Sequence, residues 1–247
     1  MTRLGLSLAC LLLLSACAAQ RPPNTGQTSQ RSSLGADLVS ESARALRELR
    51  AATPLRMLDY ALEDARAVIV LPGLYQAGFF YSLHGGSGVL VTRNRDGGWG
   101  APAFVGVGGA GVGVQIGLEK QRLVLVVEEQ EMLERILRSG LNFDAMAKFD
   151  VLGVREETGP GSLTERRPVL AFTDGVGLMA GVALRGALLT LNEGLTQAYH
   201  GQDQGDAQAL LKSASAPGIE VFELWAALRV DLPQEQIQRV GKGLEAD

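Results

Sequence analysis

His84-Gly85-Gly86-Ser87-Gly88 sets a histidine three residues before a serine among glycines, the residue types a serine hydrolase uses as base, oxyanion donor and nucleophile. The spacing does not complete that machinery. A nucleophile elbow needs G-x-S-x-G on a strand-to-helix turn, and Val89 stands where the closing glycine belongs. Gly106, Gly108 and Gly111 spell G-x-G-x-x-G, with Glu128 near the distance of a ribose-binding acid. That motif grips a pyrophosphate only where its third glycine opens a helix. Here Val112, Val114 and Ile116 alternate with Gly113, Gln115 and Gly117, and Leu123–Val127 follows too soon for a crossover helix. No nicotinamide, flavin or other cofactor is expected. The chain has two histidines, His84 and His200, far apart in sequence and without an acidic calcium-type loop. No metal site and no catalytic residue is expected, so the chain reads as a non-enzyme.

Cys17 is where covalent chemistry is expected. Arg3 supplies a positive start, Leu4–Leu14 an apolar run too short to span a bilayer, and Leu14-Ser15-Ala16 a small-residue cleavage site. Leu-Ser-Ala-Cys resembles the lipobox of bacterial lipoproteins. That resemblance implies acylation of the Cys17 thiol, with Cys17 as the new N-terminus. Ala18 in place of an aspartate after the cysteine implies the outer membrane, facing the periplasm. The expected divisions are 1–16 as signal peptide, 17–33 as acylated cysteine and flexible tether, and 34–247 as the folded domain.

Loss of residues 1–16 removes Arg3 and no acid, so the formal charge of −4 becomes one unit more negative. An acidic chain argues against nucleic acid as a partner and against adhesion to anionic lipid by bulk charge. Cys10 leaves with the signal, so the mature chain holds no pair of thiols to join. At 5% aromatic residues it cannot build the two girdles of a membrane barrel.

The elements that position these residues follow from periodicity. Leu34, Leu38, Ala45, Leu46 and Leu49 share a helical face, and Thr53-Pro54 reads as the start of a second helix carrying Leu58, Ala61 and Leu62. Ala67–Leu71 reads as a strand ended by Pro72-Gly73, followed by strands at 76–83 and 88–93 and a hairpin turn at Asn94–Gly98. The glycine alternation and Leu123–Val127 continue the sheet. A helix over 128–139 stops at Gly140. Strands at 149–154, 169–172, 177–184 and 187–191 precede a helical tail from Asn192 through 210–211 to 221–228. The fold class is α+β: an antiparallel, Gly-rich sheet, sandwich or barrel-like, flanked by N-terminal and C-terminal helices.

Several segments in this order resemble the SYLF domain family. They are A-x-A-V-I-V-L-P at 65–72, A-G-F at 77–79, G-G-S-G-V-L at 85–90 and G-G-W-G-A-P-A-F at 97–104. The glycine alternation to Gly117, G-V-G-L-M-A-G-V-A-L-R-G at 175–186 and N-E-G-L-T-Q-A-Y-H-G at 192–201 complete them. The resemblance spans about Leu38 to Val230. It implies lipid binding, for which eukaryotic members use phosphoinositides, some binding actin as well.

Candidate lipid contacts are Trp99 and Phe104 at the entrance to the glycine strands and Gly106, Gly108, Gly111 and Gly113 along them, leaving room for an acyl chain beside Val and Ile. Arg44, Arg47 and Arg50 form a basic stripe able to meet lipid phosphates, Arg44 and Arg47 being the candidate lipid contacts. The same residues also read as packing devices: Trp99 as a core cap, the glycines as seats for a second layer, and the arginines as a solvated helix face. Expected partners are membrane lipid through acylated Cys17 and a bound phospholipid or fatty acid; protein partners are unknown. Three functions remain open: a lipid-binding envelope lipoprotein, an envelope scaffold for proteins, or a lipid- or glycan-acting hydrolase.

Overall fold

The computed structural model describes residues 25–53, 56–78, 81–112, 117–143, 150–153, 168–174, 187–201 and 218–230. Cys17 and the signal, Gly113, the strand expected at 177–184 and the tail between 202 and 217 lie outside them.

Eight strands form one sheet: β1 (Ala67–Gly78), β2 (Tyr81–Thr92), β3 (Ala103–Val112), β4 (Gly117–Val127), β5 (Leu141–Asn142), β6 (Asp150–Gly153), β7 (Val169–Thr173) and β8 (Ala187–Leu191). Their order is β5-β8-β3-β2-β1-β4-β7-β6. Every pairing is antiparallel except β6 with β7. Five helices complete the described chain: α1 (Thr25–Ala52), α2 (Met57–Asp64), α3 (Gln130–Ser139), α4 (Glu193–His200) and α5 (Ile219–Leu228). The class is therefore α+β. The barrel-like alternative describes it better than the sandwich, because one sheet supplies both core faces.

Strand alternation sorts the apolar residues into two cores. Val68, Val70, Val89, Phe104, Val124 and Phe172 point to the outer face, where α1, α2, α4 and α5 cover them. Ile69, Leu71, Leu90, Val105, Leu125 and Leu189 point inward, around Met132, Leu133 and Ile136 of α3. The inner cluster draws residues from β5 and β8 at one side through to β7 at the other, so the sheet curls around it. These side chains are essentially solvent-free, and full burial of each large one is worth about 1.5–3 kcal/mol.

The turns show which local signals dominate. Asn94 N–H donates to Gly98 O at 2.7 Å and Gly97 adopts φ +86°, as the Asp96-Gly97 hairpin requires. Gly140 stops α3 at φ +76°, its N–H donating to Ile136 O. Asn192 caps α4, its side chain accepting from Leu195 N–H.

Three expectations are corrected. Pro72-Gly73 does not end the first strand; β1 runs on to Gly78 through a register shift between Val70 and Gly73. Proline removes a ladder donor, and the bulge absorbs that loss. The segment 25–33 is no tether, because α1 begins at Thr25. Once Gly35–Leu49 is packed, each further residue extends an existing helix at little cost. Thr53 closes α1 rather than opening α2, its hydroxyl donating to Leu49 O at 2.7 Å.

Candidate functional site

Helix α1 crosses the outer face of the sheet and covers only part of it. Gly35 lets it sit close, since a Cβ there would lie 2.7 Å from Tyr199 Cδ2 and 3.0 Å from Phe104 Cζ. The flank of α1 bounds three contiguous depressions. The first, of about 590 Å³, runs between Arg31, Leu34, Leu38, Ser87 and Leu195. The next, of about 380 Å³, shares Leu38 and Ser87 and adds Tyr75, Gly85 and Lys120. The third, of about 350 Å³, shares Lys120 and adds Arg44, Arg122 and Asp174. Together they make a furrow along the helix.

The sheet side of that furrow is lined by Gly73, Gly85, Gly86 and Ser87, and the floor of bare backbone continues past them across the sheet by strand register. Pairing places Lys120, Tyr75, Gly85, Gly108 and Leu188 in one register row across β4, β1, β2, β3 and β8. A parallel row nearer α1 holds Gly73, Ser87, Gly106 and Thr190. A Cβ built on Gly85, Gly106 or Gly108 would meet nothing within 4 Å. Leu83 is 65% exposed, Leu34 54%, Tyr75 47% and Leu188 42%, and all four border this floor.

The alternation at this end of the sheet is inverted. Gln76, His84, Gln121 and Thr173 point inward and are buried, while their neighbours Tyr75 and Leu83 face out. Thr173 Oγ1 donates to Gln121 Oε1 at 3.4 Å in that interior, and burial pushes the His84 pKa down. Apolar side chains outside and polar ones inside is the pattern that calls for an explanation beyond folding.

The expected site residues do not gather in one place. Gly106 and Gly108 lie on the floor. Gly111, three residues on from Gly108, has the opposite strand parity and so belongs to the inner face. The Val side chains beside the floor glycines, Val105 and Val107, also point inward, so nothing on the floor can lie against them. Gly106, Gly108 and Gly111 all sit on β3, with β4 starting at Gly117. Phe104 is fully buried, edge-on to Tyr199 with ring centroids 5.2 Å apart, and is out of reach of a surface ligand.

Trp99 is not the exposed aromatic that its place after a turn suggests; it is 9% exposed, with the Arg93 guanidinium 4.4 Å from its ring centroid. It borders a separate cleft of about 560 Å³ beside Phe222 and Trp225 of α5. From Ala103 to Gly108 alone the strand rises about 17 Å, so Trp99 cannot touch a ligand on the floor. Arg93 is held there by donating to Ala65 O at 2.9 Å, Leu62 O at 2.6 Å and Gly97 O at 3.1 Å.

The arginine stripe divides as well. Arg44 and Arg47 are exposed on α1, and Arg44 lines the furrow. Arg50, one turn on, is structural: it bonds Asp59 Oδ1 at 2.6 Å and reaches Ala227 O and Arg229 O at the end of α5. Arg122 is paired with Glu48 and with Asp174, the latter at 2.7 Å. Lys120 and Arg44 enter no ion pair among the described residues, and Lys120 Nζ stands 5.4 Å over the Tyr75 ring.

A family model described as Ysc84, Las17-binding protein actin regulator, matches residues 108–230, from the floor glycine of β3 to the end of α5. SH3 domain-containing YSC84-like protein 1 of Rattus norvegicus is 30% identical over 179 residues, 68% of this chain and 52% of that protein. The chain belongs to the Ysc84, or SYLF, family. The Xenopus laevis YSC84-like protein 1 is 28% identical over 204 residues, 78% of this chain and 60% of its own. Protein YSC84 of Saccharomyces cerevisiae is 28% identical over 148 residues, 58% of this chain and 31% of its own. The chain spans about half the length of the first of these relatives. The matched region thus includes both ends of the floor row, Lys120 of β4 and Leu188 of β8, together with Gly108, while Tyr75, Gly85 and Gly106 precede it.

Tyr75, Leu83, Lys120 and Leu188 were not singled out from the sequence, and Gly85 only within a hydrolase-like motif and the family pattern, not as a lipid contact. Strand parity carries the signal: with β1 continued through Pro72, Tyr75 and Ala77 fall on one face and Gln76 on the other.

Proposed function

We propose that this protein is a lipid-binding lipoprotein of the bacterial cell envelope. Acylated Cys17 holds it at the outer membrane on the periplasmic side, and its SYLF domain takes up phospholipid or acyl chains without catalysis. The observation that carries the reading is the furrow: a floor of Gly85, Gly106 and Gly108 open to solvent, bordered by exposed Leu34, Tyr75, Leu83 and Leu188. A soluble domain exposes such a contiguous apolar surface where it meets lipid or a partner. The resemblance of Leu14–Cys17 to a lipobox supports the anchor, since two or more acyl chains bind stably where a single one is marginal.

The test has two arms. Metabolic labelling with a clickable fatty acid is expected to mark the wild type and not Cys17→Ser, and equal labelling would remove the anchor. The mature chain with Cys17→Ser, exported behind a conventional secretory signal and purified without detergent, is expected to yield about one lipid per chain on organic extraction. A lipid-free extract, with no uptake from added vesicles, would leave the scaffold reading instead.

A further inference from the structure

The furrow has a direction, and its ends differ. At one end Leu34 and Leu188 are apolar and exposed, with Arg31 and Asp37 near Leu34 on α1; at the other Lys120 stands on the floor row beside Tyr75, with Arg44 on the helix above. Between them Gly85 and Gly108 are adjacent in register and carry nothing. The row crosses five strands, which at about 4.8 Å between neighbours makes a path of about 19 Å. Gly106 and Gly108 are one same-face step apart, about 7 Å, a width for one polymethylene chain.

We propose that the furrow holds one extended acyl chain of an acidic amphiphile, lying across the strands with its tail on the Gly85–Gly108 floor towards Leu188 and its carboxylate or phosphate at Lys120 and Arg44. This rests on the lipid-binding reading and adds the class, number and orientation of the ligand. The occupant is argued from complementarity. A polymethylene chain needs contact surface and no hydrogen bonds, which is what a floor of paired backbone without side chains offers. A packed protein surface needs side chains to interdigitate, and this floor supplies none. The acidic groups along the furrow include Glu48 and Asp174, both engaged by Arg122, so Lys120 and Arg44 remain for an anionic head. Glu41 of α1 lines all three depressions and Asp37 the first, and neither is ion-paired with Lys120 or Arg44 among the described residues.

The probe is cis-parinaric acid, titrated by fluorescence into the delipidated full mature chain carrying Cys17→Ser. Saturable uptake of one equivalent is expected. Gly108→Leu should fill the floor and weaken uptake tenfold or more, while its denaturation midpoint stays equal or rises. Gly106→Val is a second filler on equally open backbone. Lys120→Glu should weaken the acid tenfold and leave parinaryl alcohol unchanged. Uptake of the acid and the alcohol by no form would remove the lipid-binding reading itself. Uptake by wild type that survives both floor substitutions would overturn the furrow while leaving lipid binding in place. Unfolding by both substitutions would show the floor to be covered and would also overturn it. If Lys120→Glu weakens acid and alcohol alike, or neither, the orientation is wrong. If the acylated wild type excludes the probe that Cys17→Ser accepts, the occupant is the protein's own anchor and not a free amphiphile.

Discussion

Gly88 and Gly108 make opposite demands, although both sit in Gly-Val stretches of adjacent strands. A Cβ on Gly88 would stand 2.1 Å from Val70 O, 2.9 Å from Val70 C and 3.0 Å from Leu71 Cδ2. The obstacle is backbone, just before the bulge, in a strand paired on both sides by β2 and β4. Relief needs a shift of about an ångström in the middle of the sheet, so Gly88→Ala should cost about 3 kcal/mol or more, the upper range for overpacking. Gly108→Ala adds a methyl to empty space and removes backbone freedom from the unfolded chain, so it should gain about 0.5–1 kcal/mol. Urea unfolding followed by far-ultraviolet circular dichroism reads both differences, the slope being compared to exclude changes in the unfolded state. Equal destabilisation by the two substitutions would refute the distinction between a seat for packing and an open floor.

Other outcomes follow from single contacts. Arg93→Lys cannot fork to Ala65, Leu62 and Gly97, so stability should fall by about 1–3 kcal/mol, with Trp99 emission shifted red as its cover is lost. Asp59→Asn leaves Arg50 and Arg56 without their shared carboxylate; since Arg56 is largely exposed, a loss of about 3 kcal/mol is expected, the low end for a broken buried pair. Burial lowers the His84 pKa, so the unfolded chain binds a proton there more readily than the folded one. That contribution is complete above the ordinary histidine value near 6.5 and is lost as pH falls towards the lower folded value. Denaturation midpoints measured from pH 8 to pH 5 should therefore fall less steeply in His84→Gln.

Much of the fold is written in local signals. Asp96-Gly97 specifies its hairpin, Met132, Leu133 and Ile136 place α3 against the sheet, and Gly140 and Asn192 mark helix ends by their own conformational needs. The 25–33 helix was not legible because its residues are polar, with no apolar periodicity; its order comes from the packed length that follows. The passage of β1 through Pro72 depends on partners at both edges, which no local pattern reveals. That slip also hid the site. With a strand break at Pro72, the parity of Tyr75 is undefined, and the inverted face of Tyr75, Leu83 and Leu188 reads as ordinary amphipathic scatter. The glycine run pointed to backbone approached closely, and Gly106 and Gly108 lie on the open floor, whereas Trp99, Phe104 and Gly111 were grouped with them by sequence proximity alone.

The most direct test of the account is to map where a lipid touches the chain. The delipidated mature protein with Cys17→Ser, loaded with one equivalent of a terminal-diazirine fatty acid and irradiated, is digested and its cross-linked peptides sequenced. The account predicts adducts near the tail end of the furrow, on Leu188 and Thr190 of β8 and on Leu34 of α1, with none at Trp99, Phe222 or Trp225. Adducts concentrated in the Trp99 cleft or on the inner-face residues Gln76, His84 and Gln121 would contradict it.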